Sequence, residues 1–508
     1  MSKKTPDTQF KRDHTQTEAD DIQKAAAIDA GVQWQKKDSK DTNPYIITYS
    51  FTGAQNSYVE RGEKGNPVIH YGPPTEQERE GFLAATKEYE RVLNVKFVEF
   101  KPGVKTNVSI TNENHAMIEV RGADLSKITT QLPGPGKHRS GILARADFPS
   151  VTGVAIELDP AKMQGSEAPG TANFSTQIHE LGHAMGLKHP HDNQTNLNSR
   201  KVLASGDDSL NVSVMSYRDS TDDSLGGKAA NSQDGSSPRT LMPLDIVALQ
   251  KKYGANLDYN KENNPITLTG EQKVWTIWNG KQPATIDASS YKGPRGTLIN
   301  LTPGVEPLLA SHIGNEHFFI APGTVVTKAI GTPEPDILVS NQKGGSTLEG
   351  RGGGDSYSLR GKDNHVIAEG GKNTYLLMAG SQSSVAGFQG NDTIKIAKTG
   401  EPAHVSAYRT GGDTVVKIER EGEETTSLRL KGYNGPAADI TVVDTHKPPH
   451  KLEVRDLGEL TPMQAQAMEA GQAARKVVAH DHAAQGQAKA QPALPKVRGD
   501  VTLQQGHN

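Results

Sequence analysis

The chain has 508 residues, 34% of them hydrophobic, enough to fill roughly two or three domain cores. A net charge of −3 gives no electrostatic reason to bind nucleic acid or an anionic membrane, and no apolar run approaches the roughly 18 residues a membrane helix needs. There is no cysteine, which excludes disulfides, thiol nucleophiles and thiolate metal ligands. The first 16 residues are polar and lack the apolar core of a secretory signal peptide; they read as a loose end or a short pro-segment. Residues 17–31 predict a helix, capped by Thr17 and followed by Gly31. Residues 45–51 (YIITYSF) predict a strand. Residues 75–93 predict an amphipathic helix, opened by a Thr75–Glu78 capping box, with Phe82, Ala85, Tyr89, Val92 and Leu93 at helical spacing. Strands are expected at 95–100, 107–111, 141–147 and 153–158, the succession of a mixed sheet with helices against it.

Residues 177–190, QIHELGHAMGLKHP, carry the chemistry. On a helix expected from about Asn173 to Leu187, His179 and His183 lie on one face and can direct two imidazoles at one zinc ion. Glu180 sits beside them and can take a proton from a water on the metal. Gly186 can end the helix with a positive φ, so that His189 returns as a third ligand. Three protein ligands and one open position make a catalytic rather than a structural zinc site. A chance HExxH in a chain of this length has odds of roughly a few per cent; requiring the glycine and third histidine lowers that to about one in ten thousand. Ile178, Leu181, Ala184 and Met185 read as core.

The stretch matches HExxHxxGxxH of the metzincin metalloproteases at every fixed position, and Pro190 resembles the serralysin branch of peptidase family M10. That resemblance implies an α+β catalytic domain in which 141–147 is the edge strand pairing with substrate backbone. It further implies a methionine turn under the metal, which Met215 in SVMSYR fits. Tyr217 matches the serralysin tyrosine, whose phenol ligates zinc in the resting enzyme and swings away to stabilise the tetrahedral intermediate. His191, where serralysins usually carry glycine, reads as a solvated loop histidine rather than a metal ligand. Residues 243–253 (PLDIVALQKKY) predict a helix with Pro243 in its first turn and Gly254 past its end, resembling the closing helix of that domain.

Beyond a boundary placed near 256, strand-like runs separated by Gly and Pro turns lead into a repeat. Leu338, Leu348, Tyr357, Val366, Tyr375, Val385 and Ile394 recur at a period of nine, twice stretched to ten. Two residues before each stands Asp336, Ser346, Asp355, Asn364, Asn373, Ser383 or Asp392. This resembles a degraded RTX nonapeptide, which winds into a parallel β-roll with Ca²⁺ held in its turns. Alternate turns would place Asp336, Asp355, Asn373 and Asp392 on one edge and Ser346, Asn364 and Ser383 on the other. Calcium is expected on the order of one or two ions, on Asp336, Asp355 and Asp392; the competing expectation is a roll that needs none.

The expected layout is an N-terminal segment (1–30), a zinc metalloprotease domain (31–256), an all-β roll (257–446) and a low-complexity, largely disordered tail (447–508) containing a helix near 462–478. Implied by the resemblance is a zinc endopeptidase acting on proteins or peptides, expected to be a monomer and secreted without a cleavable signal peptide. The last residues, LQQGHN, lack the apolar ending of serralysin export signals. The alternative is a roll-based binding or adhesion module whose proteolysis is narrow or incidental; the intact set of His179, Glu180, His183, His189, Met215 and Tyr217 weighs against it.

Overall fold

The structure is a computed structural model and describes residues 15–53, 58–60, 69–111, 113–131, 138–140, 142–193, 201–218, 237–305, 310–397, 402–445 and 449–469. Its N-terminal unit is a seven-stranded mixed sheet with helices packed on it. In chain order these are α1 (Thr15–Ala25), β1 (Tyr45–Phe51), β2 (Tyr58–Glu60), β3 (Ile69–Gly72), α2 (Glu76–Val92), β4 (Val95–Glu99), β5 (Ile118–Ala123), the hairpin β6 (Thr129–Gln131) and β7 (His138–Ser140), β8 (Ala144–Ala146), β9 (Val154–Leu158), α3 (Ala172–Ala184) and α4 (Pro243–Tyr253). β4, β1, β5 and β9 run parallel, and β8 closes that side antiparallel to β9. The β2–β3 hairpin adds to the end of β5.

The Thr75–Glu78 box forms as the sequence dictates: Thr75 Oγ1 accepts from Glu78 N, and Glu78 Oε2 accepts from Thr75 N at 2.7 Å. Two expectations are corrected. Residues 107–111 form no strand; Val108 makes a single bridge to Lys36, because Asn107 spends its side chain on the backbone around residues 44–46. The first helix stops at Ala25 instead of reaching Gly31, because residues 28–30 are drawn across the end of α3, with Asp29 bridged to Leu187 and Ala30 N donating to Gly186 O. Residues 28–34 are therefore part of the core under the metal helix, where Ile28 and Trp34 are buried.

The C-terminal region begins with β10 (Ile266–Thr267) and β11 (Lys273–Ile277) and coils into two ten-stranded, mainly parallel sheets, the shape of a β-roll. Successive strands alternate between them. Ile337–Val339, Ser356–Leu359, Thr374–Leu377 and Thr393–Ile396 stack in one sheet; Thr347–Glu349, Lys362–Ile367 and Gln382–Ala386 stack in the other. All seven apolar repeat positions, from Leu338 to Ile394, are buried between the sheets. The sheets run past the end expected near 446. His450–Leu452 and Val454–Glu459 each add an outer strand, and a helix, Pro462–Glu469, covers Tyr408 and Val415. These half-exposed strands need only backbone pairing, so they carry little apolar signature. Residues 470–508, including the rest of the expected tail, lie outside the described residues, as do residues 1–14.

Candidate metal centre

The metal helix is α3. Thr171 caps it, its Oγ1 accepting from Phe174 N, and Gly186 ends it at φ +90°, with Leu187 N closing back onto Gly182 O. A Cβ on Gly186 would lie 2.2 Å from Val32 O, so both the backbone angle and the space demand glycine. The carbonyls left open at the helix end are met by neighbours: Trp34 Nε1 donates to Ala184 O and Tyr253 Oη to Met185 O.

His179, His183 and His189 converge. Their Nε2 atoms stand 3.2 Å (His179–His189) and 3.1 Å (His183–His189) apart. Each Nδ1 faces a group that can only accept: Val214 O, Leu187 O and the Asp192 carboxylate, all at 2.8 Å. The ring proton therefore sits on Nδ1, and three Nε2 lone pairs confront one another. Neutral rings alone would repel there; a cation at the centre removes the repulsion. Tetrahedral zinc at 2.0–2.1 Å from each nitrogen would set them roughly 3.3 Å apart, close to the observed spacing. Burial, reinforced by His189, pushes His179 down to about 3, and burial holds His183 well below its ordinary value, so both rings stay neutral and available as ligands. Phe148 stands edge-on to His183 with centroids 5.5 Å apart.

Glu180 is buried, and its Oε2 meets no hydrogen-bond partner among the described residues. Burial, with Glu157 adding to it, lifts its carboxyl to about 8. A divalent cation in the cage would draw that value back down. Tyr217 lies over the ligands, stacked on His179 at 5.6 Å and 14° and 4.4 Å from His189.

Met215 is fully buried beneath α3. Its turn is fastened by Asp245 of α4: the Oδ2 accepts from Val214 N at 2.8 Å and Met242 N at 2.9 Å, and the Oδ1 accepts from Ser213 Oγ at 2.6 Å. Val214 O in turn receives His179 Nδ1–H, so Asp245 acts on the first ligand through the turn. Gly182 makes room for it: a Cβ there would come within 2.6 Å of Met215 Sδ.

Sequence reasoning missed four of these. Asp245 and Gly182 were read only as parts of a helix. Asp192, which orients His189, carries the one local signal, its i+3 spacing from the ligand. Lys188 is fully buried and donates from Nζ to the carbonyls of Asp192 and Lys201, both at 2.8 Å, tying down the loop after the third ligand. His191 is also corrected. It is not a solvated loop residue but half-buried, stacked on His189 at 5.4 Å and 8°. Its Nδ1 lies 4.0 Å from Asp208, which also faces Arg218.

The repeat residues lie far along the chain, and the structure does sort them onto two edges. Asp336, Asp355, Asn373 and Asp392 form one buried column. Its oxygens are engaged by protein donors. Asp355 Oδ1 accepts from Asp336 N, Asn373 Oδ1 from Asp355 N and Asp392 Oδ1 from Asn373 N, at 2.8–3.0 Å. Asp336 takes Thr297 N and Thr332 N; Tyr357 and Tyr375 donate to Asp355 and Asp392. Among the described residues, groups of three or more His, Asp or Glu able to hold a metal occur only at His179–His183–His189 and His189–His191–Asp192.

Comparison with known proteins agrees with this geometry. The matrixin model of peptidase family M10 matches residues 70–210, which includes all three histidines and stops short of Met215 and Tyr217. Serralysin B of Dickeya chrysanthemi is 27% identical over 316 residues, 58% of each chain. Metalloprotease AprA of Pseudomonas entomophila is 25% identical over 331 residues, 61% of each, and serralysin of Proteus mirabilis 26% over 349, 61% of this chain and 64% of the relative. The chain thus spans less than two thirds of the length of these relatives. With the cage, its helix and the methionine turn in place, these matches support a serralysin-like metalloprotease of family M10.

Proposed function

We propose that the protein is a zinc endopeptidase that hydrolyses internal peptide bonds of protein or peptide substrates. The observation that carries this reading is the cage itself: three converging Nε2 lone pairs beside a buried carboxylate oxygen that no group among the described residues satisfies. His179, His183 and His189 would hold the metal. When bound, zinc would polarise the scissile carbonyl and make water more acidic. Glu180 would accept the proton of the attacking water and return it to the leaving amine, a role that its position beside the cage supports. Tyr217, lying over two of the ligands, would donate to the oxyanion. Among the described residues β8 pairs on one side only, with β9, so its other edge is available to an extended substrate strand.

Export fits a cysteine-free chain with serralysin relatives, and a monomer suffices, since every group invoked comes from one chain. In the RTX-like roll, the reading supported best is the calcium-free one, because each carboxylate of the Asp336–Asp355–Asp392 column already accepts from backbone or tyrosine donors. The experiment compares cleavage sites in a complex protein mixture for the zinc-loaded wild type and Glu180→Ala. New internal termini present only with the wild type are expected. Termini that persist in the variant, or none in either at full zinc loading, would remove the endopeptidase reading.

A further inference from the structure

A second concave site lies away from the metal, where the N-terminal unit joins the roll. It is a cavity of about 490 Å³, within the roughly 300–1,000 Å³ typical of small-molecule sites. Three separated pieces of chain build it. Arg91 comes from α2, Arg239 from the segment before α4, and Tyr259, Lys273, Trp275 and Trp278 from the turn and strand that open the roll. The pieces are laced together: Arg239 N donates to Val274 O, and Thr276 N to Thr240 Oγ1.

The charges do not balance. Lys273 is answered by the buried Glu316 at 2.9 Å, and Arg91 Nε by Glu88 at 2.9 Å. Among the described residues, Arg91 Nη2 is buried without a hydrogen-bond partner, and no carboxylate lies within ion-pair distance of Arg239. Arg239 lines the cavity with no such carboxylate beside it, so an anion there would answer it, and Arg91, also on the cavity wall, would add to the attraction. The remaining wall is flat and aromatic. Tyr259 is 37% exposed, with the Arg91 guanidinium 5.8 Å from its ring centre, and Trp275 is half-buried. The rim adds a backbone observation. Asn260 and Asn263 both hold positive φ, 48° and 54°, in the turn beside Tyr259, with Asn260 Nδ2 bonded to Asn264 O at 3.0 Å.

We propose that this junction cavity binds a small ring-bearing anion, with Arg91 and Arg239 on its acidic group and the Tyr259 and Trp275 rings on its apolar face. Two sources share that chemistry, a sugar acid and an aromatic carboxylate. Because the donors come from both units, the ligand would brace the junction. The inference is independent of the proteolytic reading.

The chain has three tryptophans, two of which, Trp275 and Trp278, line the cavity. The test titrates the full-length protein with glucuronate and with benzoate, and with glucose and benzyl alcohol as neutral counterparts, following tryptophan fluorescence. A saturable change with one acid and none with its neutral counterpart is expected, and which acid responds identifies the source. Arg239→Gln should weaken that binding about tenfold or more, the loss of one charge-assisted contact. The proposal is overturned if neither acid gives a saturable change at millimolar concentration, if a neutral counterpart binds as well, or if a folded Arg239→Gln binds unchanged. The acid-against-neutral comparison uses unaltered protein, so it decides the matter even where the variant does not fold.

Discussion

The metal cage and the aspartate column of the roll are both stacks of buried polar side chains presented at regular spacing. They differ in what stands opposite each polar atom. In the column, every step is closed by protein: a side-chain oxygen of one turn accepts the backbone N–H of the preceding equivalent turn. In the cage, the outer nitrogens are closed by carbonyls and a carboxylate, while the inner three face only one another. Buried polar groups are normally satisfied, so a converging set left open marks a ligand, and a set closed by N–H groups is architecture. The same residue types that would suggest metal in a sequence thus part company once their partners are counted.

The largest effect should come from breaking the open set. His183→Ala is expected to lose bound zinc, read by elemental analysis, and to lose hydrolysis by roughly a thousandfold or more, because several kcal/mol of charge stabilisation go with the metal. Glu180→Gln should keep the zinc and lose about a hundred- to ten-thousandfold in kcat, the range for a general base. Asp355→Asn, in the closed set, should change neither. Zinc retained by His183→Ala, or lost from Asp355→Asn, would contradict the distinction.

A smaller effect is expected at the floor of the cage. Gly182→Ala drives a methyl into Met215 Sδ, and overpacking of this kind costs about 1–3 kcal/mol. Thermal denaturation should show a lower midpoint, with zinc bound more weakly as the methionine turn shifts under His179. An unchanged midpoint would mean that the turn yields freely and that Asp245 does not hold it. In the column, millimolar calcium should leave the melting of the roll in place, whereas a zinc chelator should lower the stability of the N-terminal unit. A calcium-dependent rise in the roll's midpoint would restore the metal to Asp336, Asp355 and Asp392.

How much of this was legible follows from chain separation. The three cage histidines and Glu180 lie within eleven residues on one helix and its turn, so helical spacing and the Gly186 turn assemble them. The roll's apolar column was equally legible, because its period repeats in every coil. What escaped was long-range. Asp245 reaches Ser213 and Val214 across some thirty residues, Gly182 is explained only by Met215, and Lys188 only by the carbonyls it gathers. The outer strands at 450–459 escaped for another reason: backbone pairing to an existing sheet asks little of the side chains.

The smallest expected effect comes from a buried carboxyl that no cation answers among the described residues. Glu167, before α3, packs against Gly81 of α2, and its Oε1 has no hydrogen-bond partner among the described residues. Burial lifts its carboxyl to about 7, with the nearby Glu78 adding to the rise. The folded protein therefore holds a proton on Glu167 that the unfolded chain, near 4.5, has already released. A carboxyl raised in this way stabilises the fold most at low pH, and its contribution fades as pH climbs from about 4.5 towards 7. Asp355 and Asp245, also lifted to about 7 by burial, slope the same way. Glu167→Gln stands in for the protonated acid at every pH. Chemical denaturation at pH 5 and pH 8 should therefore give a smaller difference in the variant than in the wild type, with the variant the more stable at pH 8. An unchanged slope would mean that water reaches Glu167 and that its carboxyl titrates as an ordinary one.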